Sequence, residues 1–266
     1  LAIAFILARE DALFIFRDLG LLPGITRLID FLFARRQPGK TRGSKLASAL
    51  ERLGPAFIKL GQALSTRSDL IGDELARDLA HLRDALPAFP TSVALATVEG
   101  ELGRPLAEIY SEFSETPIAA ASIAQVHKAT TTGGKPVAVK ILRPGIENAF
   151  AKDLDLFIWL AEILEHNPER AKRLKPMEVV HTLKESVFFE LDLRFEAAAA
   201  TELANNVAKH GTGLYVPSVD WNLTSRRVLT LDWVEGISLN DVEAIRSSGF
   251  NINTILTQAA TSLFLQ

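Results

Sequence analysis

The stretch Pro117-Ile-Ala-Ala-Ala-Ser-Ile-Ala-Gln-Val-His-Lys-Ala129, followed after Gly133-Gly134 by Val137-Ala-Val-Lys140, decides how the rest of the chain is read. Two runs of β-branched and small apolar residues flank a glycine pair, which is the pattern of a β-hairpin. In the second run Val137, Val139 and Ile141 alternate with Ala138 and Lys140. A strand there turns its branched side chains to one face and its single lysine to the other. A lone lysine on an otherwise apolar strand is a ready cation for a phosphate. The same four residues also fit an ordinary half-buried strand with an edge lysine, because so short a pattern is common.

Val137-Ala-Val-Lys140 resembles the Val-Ala-Ile-Lys strand of protein-kinase small lobes, whose lysine pairs with the α- and β-phosphates of ATP under a flexible loop. The loop here departs from the kinase G-x-G-x-x-G pattern. Ala119, Ala120, Ala121 and Ser122 occupy it, and each Cβ narrows the backbone freedom glycine would allow, so phosphates must be held differently. Two further stretches carry a more specific signal. Upstream lies Leu53-Gly-Pro-Ala-Phe-Ile-Lys59-Leu-Gly61-Gln62, and downstream lies Glu190-Leu-Asp192-Leu-Arg-Phe-Glu196. Together with the hairpin, Val216-Pro217 and Arg227-Val-Leu-Thr-Leu-Asp-Trp-Val-Glu-Gly236, these resemble the UbiB family of atypical protein-kinase-like proteins. The resemblance runs over nearly the whole chain with its motifs in the family's order.

The resemblance implies an α+β fold: a kinase-like small lobe of antiparallel sheet plus helix, an N-terminal helical extension, and the truncated start of a helical large lobe. Residues 1–43 are then amphipathic helices and a linker, 44–116 the Lys-x-Gly-Gln extension, 117–236 the small lobe with a helical insert, and 237–266 the start of the large lobe. It further implies an adenine nucleotide, ATP or ADP with Mg, and a role in ubiquinone biosynthesis as an atypical kinase or ATPase. Lys140 would contact phosphate and pair with Glu196, while Ala119, Ala120, Ala121 and Ser122 form the phosphate-side loop. Lys59 and Gln62, three apart on one helix face, would meet Glu190, Asp192 or the nucleotide, and Gly61 between them would admit another backbone. Glu190 and Asp192 point about 200° apart on a continuous helix, so they act together only if the helix begins or bends there. Leu231, Asp232 and Val234 match a hinge: Leu231 shapes the pocket, and the backbone of Asp232 and Val234 reads the adenine edge. Gln125 and His127 are expected to be supporting rather than catalytic.

No H-R-D-x-x-x-x-N or D-F-G sequence occurs in these 266 residues, and in such kinases those loops hold the metal and orient the nucleophile. The resemblance places them beyond Gln266, and the apolar run Ile255 to Leu265 suggests a chain cut within a helix. A non-catalytic, nucleotide-gated scaffold for lipid-biosynthesis enzymes is the alternative. No dinucleotide or flavin fingerprint supports a direct hydroxylase.

Composition narrows the partners. The formal net charge of −3 and the absence of long basic runs argue against nucleic acid. With no cysteine, thiolate metal sites and disulfides are excluded. The five histidines are scattered without ligand spacing, and no metal site is read from the residues. No apolar run is long enough to span a bilayer. Residues 1–36 fit either two helices packed within the molecule or helices lying on a membrane surface, with Phe5, Phe16 and Phe31 on one side and arginines on the rest. The resemblance implies attachment to the cytoplasmic face of a bacterial inner membrane, or to the mitochondrial inner membrane, with lipid intermediates, pathway enzymes and a second copy of the chain as partners. The periodicity predicts helices from Ser44 through Lys59, near Asp73, over Thr91–Leu102, Asn148–Glu165 and Pro176–Ala208, and over Leu239–Arg246 and Ile252–Leu265. Strands are predicted at Tyr215–Asp220 and Arg227–Trp233.

Overall fold

The computed structural model describes residues 2–18, 39–82, 87–166, 175–210, 214–239 and 241–264. They form an α+β arrangement that separates into a helical unit, residues 1–87, 121–123 and 145–188, and a sheet unit, residues 88–120, 124–144 and 189–266.

In the helical unit, α1 (Ala2–Arg9) and α2 (Phe14–Asp18) precede α3 (Arg42–Leu53), α4 (Pro55–Ser65), α5 (Ser68–Ile71) and α6 (Asp73–Leu79). Helix is therefore interrupted between Ser44 and Lys59, where a continuous one was expected. Gly54 lies at φ 111°, and Pro55 opens α4 at its first position. Proline cannot donate the next helical bond but suits a helix start, and only glycine takes that left-handed turn without strain. Thr41 caps α3 by accepting from the Ser44 amide at 3.1 Å. The expected second N-terminal helix near Phe31 lies outside the described residues, as does Leu86. The long helix α9 (Ile146–Glu165) packs on α4 through an edge-to-face contact of Phe57 with Phe157, centroids 4.9 Å apart.

The sheet unit contains α7 (Thr91–Leu102), α8 (Leu106–Ile109), β1 (Tyr110–Phe113), β2 (Ala119–Ala120), β3 (Ala124–Thr131), β4 (Pro136–Leu142) and β5 (Val228–Asp232). The strand order is β1-β3-β4-β5, all antiparallel, with β2 on the same edge of β3 as β1. The tight β3–β4 turn closes with the Thr131 amide donating to the Lys135 carbonyl at 2.9 Å, and Gly134 takes φ 82°. Val137, Val139 and Ile141 are fully buried against Ala94 and Val98 of α7, Phe89 and Tyr110. The opposite face carries Ala138 and Lys140, both half-buried.

Two expectations are corrected, and one strand is new. β1 was not anticipated; its four residues are too few for a legible alternation. Tyr215–Asp220 is not a strand: only Val219 bridges to Leu231, because Pro217 cannot donate to a ladder. The helix expected over Pro176–Ala208 is two helices, α10 (Pro176–Glu190) and α11 (Leu193–His210). In α7 the Thr91 hydroxyl donates to the Glu115 carbonyl. α12 (Val242–Ser247) and α13 (Ile252–Phe264) complete the unit.

Ile141→Ala removes a wholly buried side chain between the sheet and α7 and should cost about 2–5 kcal/mol of stability. Ala138→Ser, on the open face, should cost well under half of that; equal urea midpoint shifts for the two would contradict the assignment of faces.

Candidate functional site

The register builds one face of the sheet. In antiparallel pairs, directly opposed residues share a face. Lys140 stands opposite Val126 on one side and Leu229 on the other; Ala138 stands opposite Lys128 and Leu231; Ala119 stands opposite Val126. Ala119, Val126, Lys128, Ala138, Lys140, Leu229 and Leu231 therefore share one face, which is closed at Leu229 and partly open along the rest. Val126 and Ala138 were missed as site residues, because only the strand register tells which neighbours share the lysine's face.

Lys140 meets Glu196 there. Its Nζ donates to both carboxylate oxygens, at 2.9 and 2.7 Å. The lysine side chain is 29% exposed and the glutamate 47%, so the pair is wet and its value lies in orientation more than stability. Glu196 is in the first turn of α11, where the helix dipole favours an acid.

The start of α11 is itself constructed. The Leu193 amide donates to the Arg226 carbonyl at 2.9 Å, and Asp192 Oδ1 accepts from the Arg194 amide at 3.1 Å. Asp192 also takes the Arg194 guanidinium at 2.9 and 2.7 Å. That hydrogen-bonded pairing holds the Asp192 carboxyl below the usual carboxylate range, with the Arg194 amide reinforcing it. Asp192 is thus a helix cap engaged with its own arginine, and Glu190 closes the preceding helix. The chain leaves the helix at Leu191 and Asp192, so the two acids are not on one continuous helix.

At the other end of β5, the Asp232 amide donates to Ser218 O at 3.0 Å and the Trp233 amide to Pro136 O at 3.2 Å. The Asp232 carboxylate pairs with Lys135 Nζ at 2.5 Å, which raises the lysine above its ordinary range through that hydrogen bond. Lys128 lies over the Trp233 ring, 4.4 Å from its centroid. Among the described residues no hydrogen bond engages the exposed Val234 amide. Lys128 and Lys135 were not singled out in the sequence, because their contacts with Trp233 and Asp232 arise from the pairing of β4 with β5.

The alanine-rich segment is not a free loop. Ala119 and Ala120 pair with Val126 and Gln125, and the Ile118 amide donates to Val126 O at 2.8 Å. Ala121 and Ser122 make the return into β3, with Ser122 fully buried. Beneath them runs a buried relay. The Phe89 amide donates to Gln125 Oε1 at 3.0 Å, so the Gln125 amide group donates to His127 Nε2 at 2.8 Å. His127 Nδ1 then carries the proton and donates to Ser114 O at 2.8 Å. Burial pushes the His127 pKa down, against the pull of that carbonyl, and its neutral form completes the relay. Both residues are structural supports, as expected.

Lys59 and Gln62 lie on α4 in the helical unit. The Gln62 carbonyl accepts from Ser65 Oγ at 2.6 Å. The glycine between them faces side chains rather than the backbone that was expected: a Cβ at Gly61 would come within 2.7 Å of Leu50 Cδ1 and closer still to Leu82 Cδ1. Among the described residues, no group of three or more His, Asp or Glu could hold a metal ion, and no helix is long and apolar enough to cross a membrane.

A family model described as the ABC1 atypical kinase-like domain matches residues 81–266. The chain belongs to the ABC1/UbiB family of atypical kinase-like proteins. Among its relatives, a probable protein kinase UbiB of Marinobacter nauticus is 42% identical over 230 residues, 86% of this chain and 42% of the relative. One from Pseudomonas paraeruginosa is 37% identical over 254 residues, covering 94% and 48%. The Mycobacterium tuberculosis protein Rv3197, solved in complex with erythromycin, is 33% identical with a TM-score of 0.51, over 72% of this chain and 48% of that one. The chain thus spans about half the length of the UbiB relatives it matches. The UbiB likeness read from the four motifs is correct, and so is the kinase-like α+β fold.

Because the folded state resists protonating His127 while the unfolded chain does not, stability is full above about pH 6.5 and is lost as pH falls below it. The wild-type melting temperature should drop between about pH 7 and 5, and less steeply in His127→Gln; parallel pH profiles would show that His127 is not the source.

Proposed function

We propose that the sheet unit of this UbiB-family chain binds an adenine nucleotide against the face formed by Val126, Ala138, Lys140 and Leu231. On this reading the chain serves an atypical kinase or ATPase that supports ubiquinone biosynthesis. The observation that carries the reading is the bidentate Lys140–Glu196 pair, since an ion pair keeps a long flexible side chain aimed where phosphates would lie.

Each residue has a task in this reading. Lys140 holds the α- and β-phosphates and Glu196 orients it. The backbone from Ala119 to Ser122 borders the phosphates, already paired to β3 and so less free than a glycine loop. Leu231 walls the adenine, and the Asp232 carbonyl and Val234 amide read its edge, the Asp232 amide being engaged elsewhere. By the family's motif order, Lys59 and Gln62 of the helical unit and Glu190 and Asp192 of the sheet unit are each carried as functional residues, with Asp192 acting mainly by starting α11. The donors present suit a nucleotide. For Mg, the described residues offer no cluster of three histidine or carboxylate ligands.

Within the pathway, the nucleotide cycle would act on lipid intermediates or their enzymes at a membrane surface, the bacterial inner membrane on its cytoplasmic side or its mitochondrial counterpart, with a homodimer as one form. The scaffold alternative, in which nucleotide gates partner binding without turnover, uses the same residues. Phosphate release by the intact protein separates the two.

In the intact protein, Lys140→Ala should abolish the rise in melting temperature produced by ADP or ATP. Glu196→Gln should weaken nucleotide affinity about tenfold, roughly 1.4 kcal/mol; an undiminished rise in Lys140→Ala would remove the lysine from the site. Ala120→Gly, which loosens β2, should change the ATP-to-ADP affinity ratio, and an unchanged ratio would show that the alanine does not restrain the phosphate side.

A further inference from the structure

Gln125 and His127 are fully buried on the face of β3 that carries the apolar core. His127 Nδ1–H donates to the Ser114 carbonyl at 2.8 Å, the Gln125 amide group donates to His127 Nε2 at 2.8 Å, and Gln125 Oε1 accepts from the Phe89 amide at 3.0 Å. A proton added at Nε2 turns the ring's acceptor into a second donor. Gln125 can accept from it only by turning Oε1 away from the Phe89 amide, which then meets the Gln125 amide group, donor against donor. If Gln125 does not turn, the same clash falls at Nε2. Either way a buried donor is left without an acceptor, which folded proteins avoid. Burial and the Ser114 carbonyl are the influences on the His127 pKa. The charged and titratable groups of the surrounding elements are engaged elsewhere or turned outward. On α7, Glu99 accepts from the Leu106 amide and Glu101 from the Arg227 amide. Tyr110 of β1 shares its hydroxyl with Thr230, Arg143 after β4 stands over the Phe89 ring, and Glu112 and Glu115 are exposed. Lys128 and Lys140 lie on the opposite face of the sheet.

Both ends of this relay lie where the short edge strand β2 is held. Ala119 and Ala120 pair with Val126 and Gln125, and the Ile118 amide donates to Val126 O at 2.8 Å. The connection that delivers β2 from β1 begins at Ser114, whose carbonyl takes the His127 ring. Its next residue, Glu115, accepts the Thr91 hydroxyl, two positions past Phe89. Losing the relay bond at Phe89 or at Ser114 therefore loosens an anchor of residues 114–118, and a two-residue edge strand has few ladder bonds with which to resist. We propose that the relay positions the alanine segment bordering the phosphates: neutral His127 holds Ala119 and Ala120 on β3, and protonation of His127 releases them. The release follows from the relay alone, while its effect on nucleotide affinity rests on the nucleotide-binding reading above.

Hydrogen exchange of the intact protein without nucleotide reads the release. In the wild type, protection of the Ile118 amide relative to the amides of β4 should fall about tenfold between about pH 7 and 5. In His127→Gln it should stay level. The carboxylate introduced by Gln125→Glu can accept from the Phe89 amide and from a protonated His127 together, so in that variant protection should persist down to about pH 5. A level wild-type profile, or the same profile in His127→Gln, would overturn the proposal. Should Gln125→Glu fail to fold, those two profiles carry the test alone. Titration with ADP then reads the consequence. A terminal phosphate itself takes a proton near about pH 6, so the wild type is compared with His127→Gln at each pH, and its relative affinity should fall about tenfold over the same range. A constant ratio, in a wild type whose ADP binding is lost in Lys140→Ala, would overturn the positioning role. Absence of ADP binding by the wild type at every pH, with Ile118 still released, would instead count against the nucleotide reading and uphold the relay's hold on β2.

Discussion

Lys140 stands on β4 with strands paired on both sides, and its long, flexible side chain needs a partner to hold one direction. Glu196 meets it from the first turn of α11. That turn exists because the chain stops being helical at Leu191-Asp192: the Leu193 amide is taken by Arg226, next to β5, and the Asp192 carboxylate caps the new helix. The ion pair therefore depends on a helix start, and the helix start depends on the strand beside it. The strand register fixes which face carries the lysine, and α7 packs against the other face of the same strand.

The two units solve different problems. The sheet unit buries one face against α7 with Val137, Val139 and Ile141 and leaves the other open, with polar groups arranged along it. The helical unit buries leucine and phenylalanine stripes from helices far apart in the chain and keeps an apolar groove between them. Gly61 belongs to the second problem: it lets α4 lie close to Leu50 and Leu82, which explains a glycine between Lys59 and Gln62 on packing grounds alone.

Much of the site was legible because it is built from short-range rules. Val-Ala-Val-Lys announces a strand by alternation, and Glu196 was found through its motif. The Gly54-Pro55 break, the Asp192 cap and the strand at Tyr110–Phe113 were not read correctly or at all. In each case a local preference for continuing a helix, or for staying irregular, gave way to a hydrogen bond with a residue distant in sequence or to a proline with no amide to give. The relay of Phe89, Gln125, His127 and Ser114 shows the limit well. Its polar residues were recognised as supports, but their partners lie 13 and 36 positions away, beyond any periodicity.

By itself, the sequence determined the family, the kinase-like α+β class, the central hairpin and the identity of the lysine and its glutamate, since these follow from motif order and from alternation along single strands. Tertiary structure decided which residues share the lysine's face, where α11 begins, which groups at the end of β5 are engaged, and that helices from residues 42–65 and 146–165 line an apolar groove. Those facts arise from register and from packing between segments that the chain order keeps apart, and the free energy of such contacts is set by burial and geometry that no local pattern encodes.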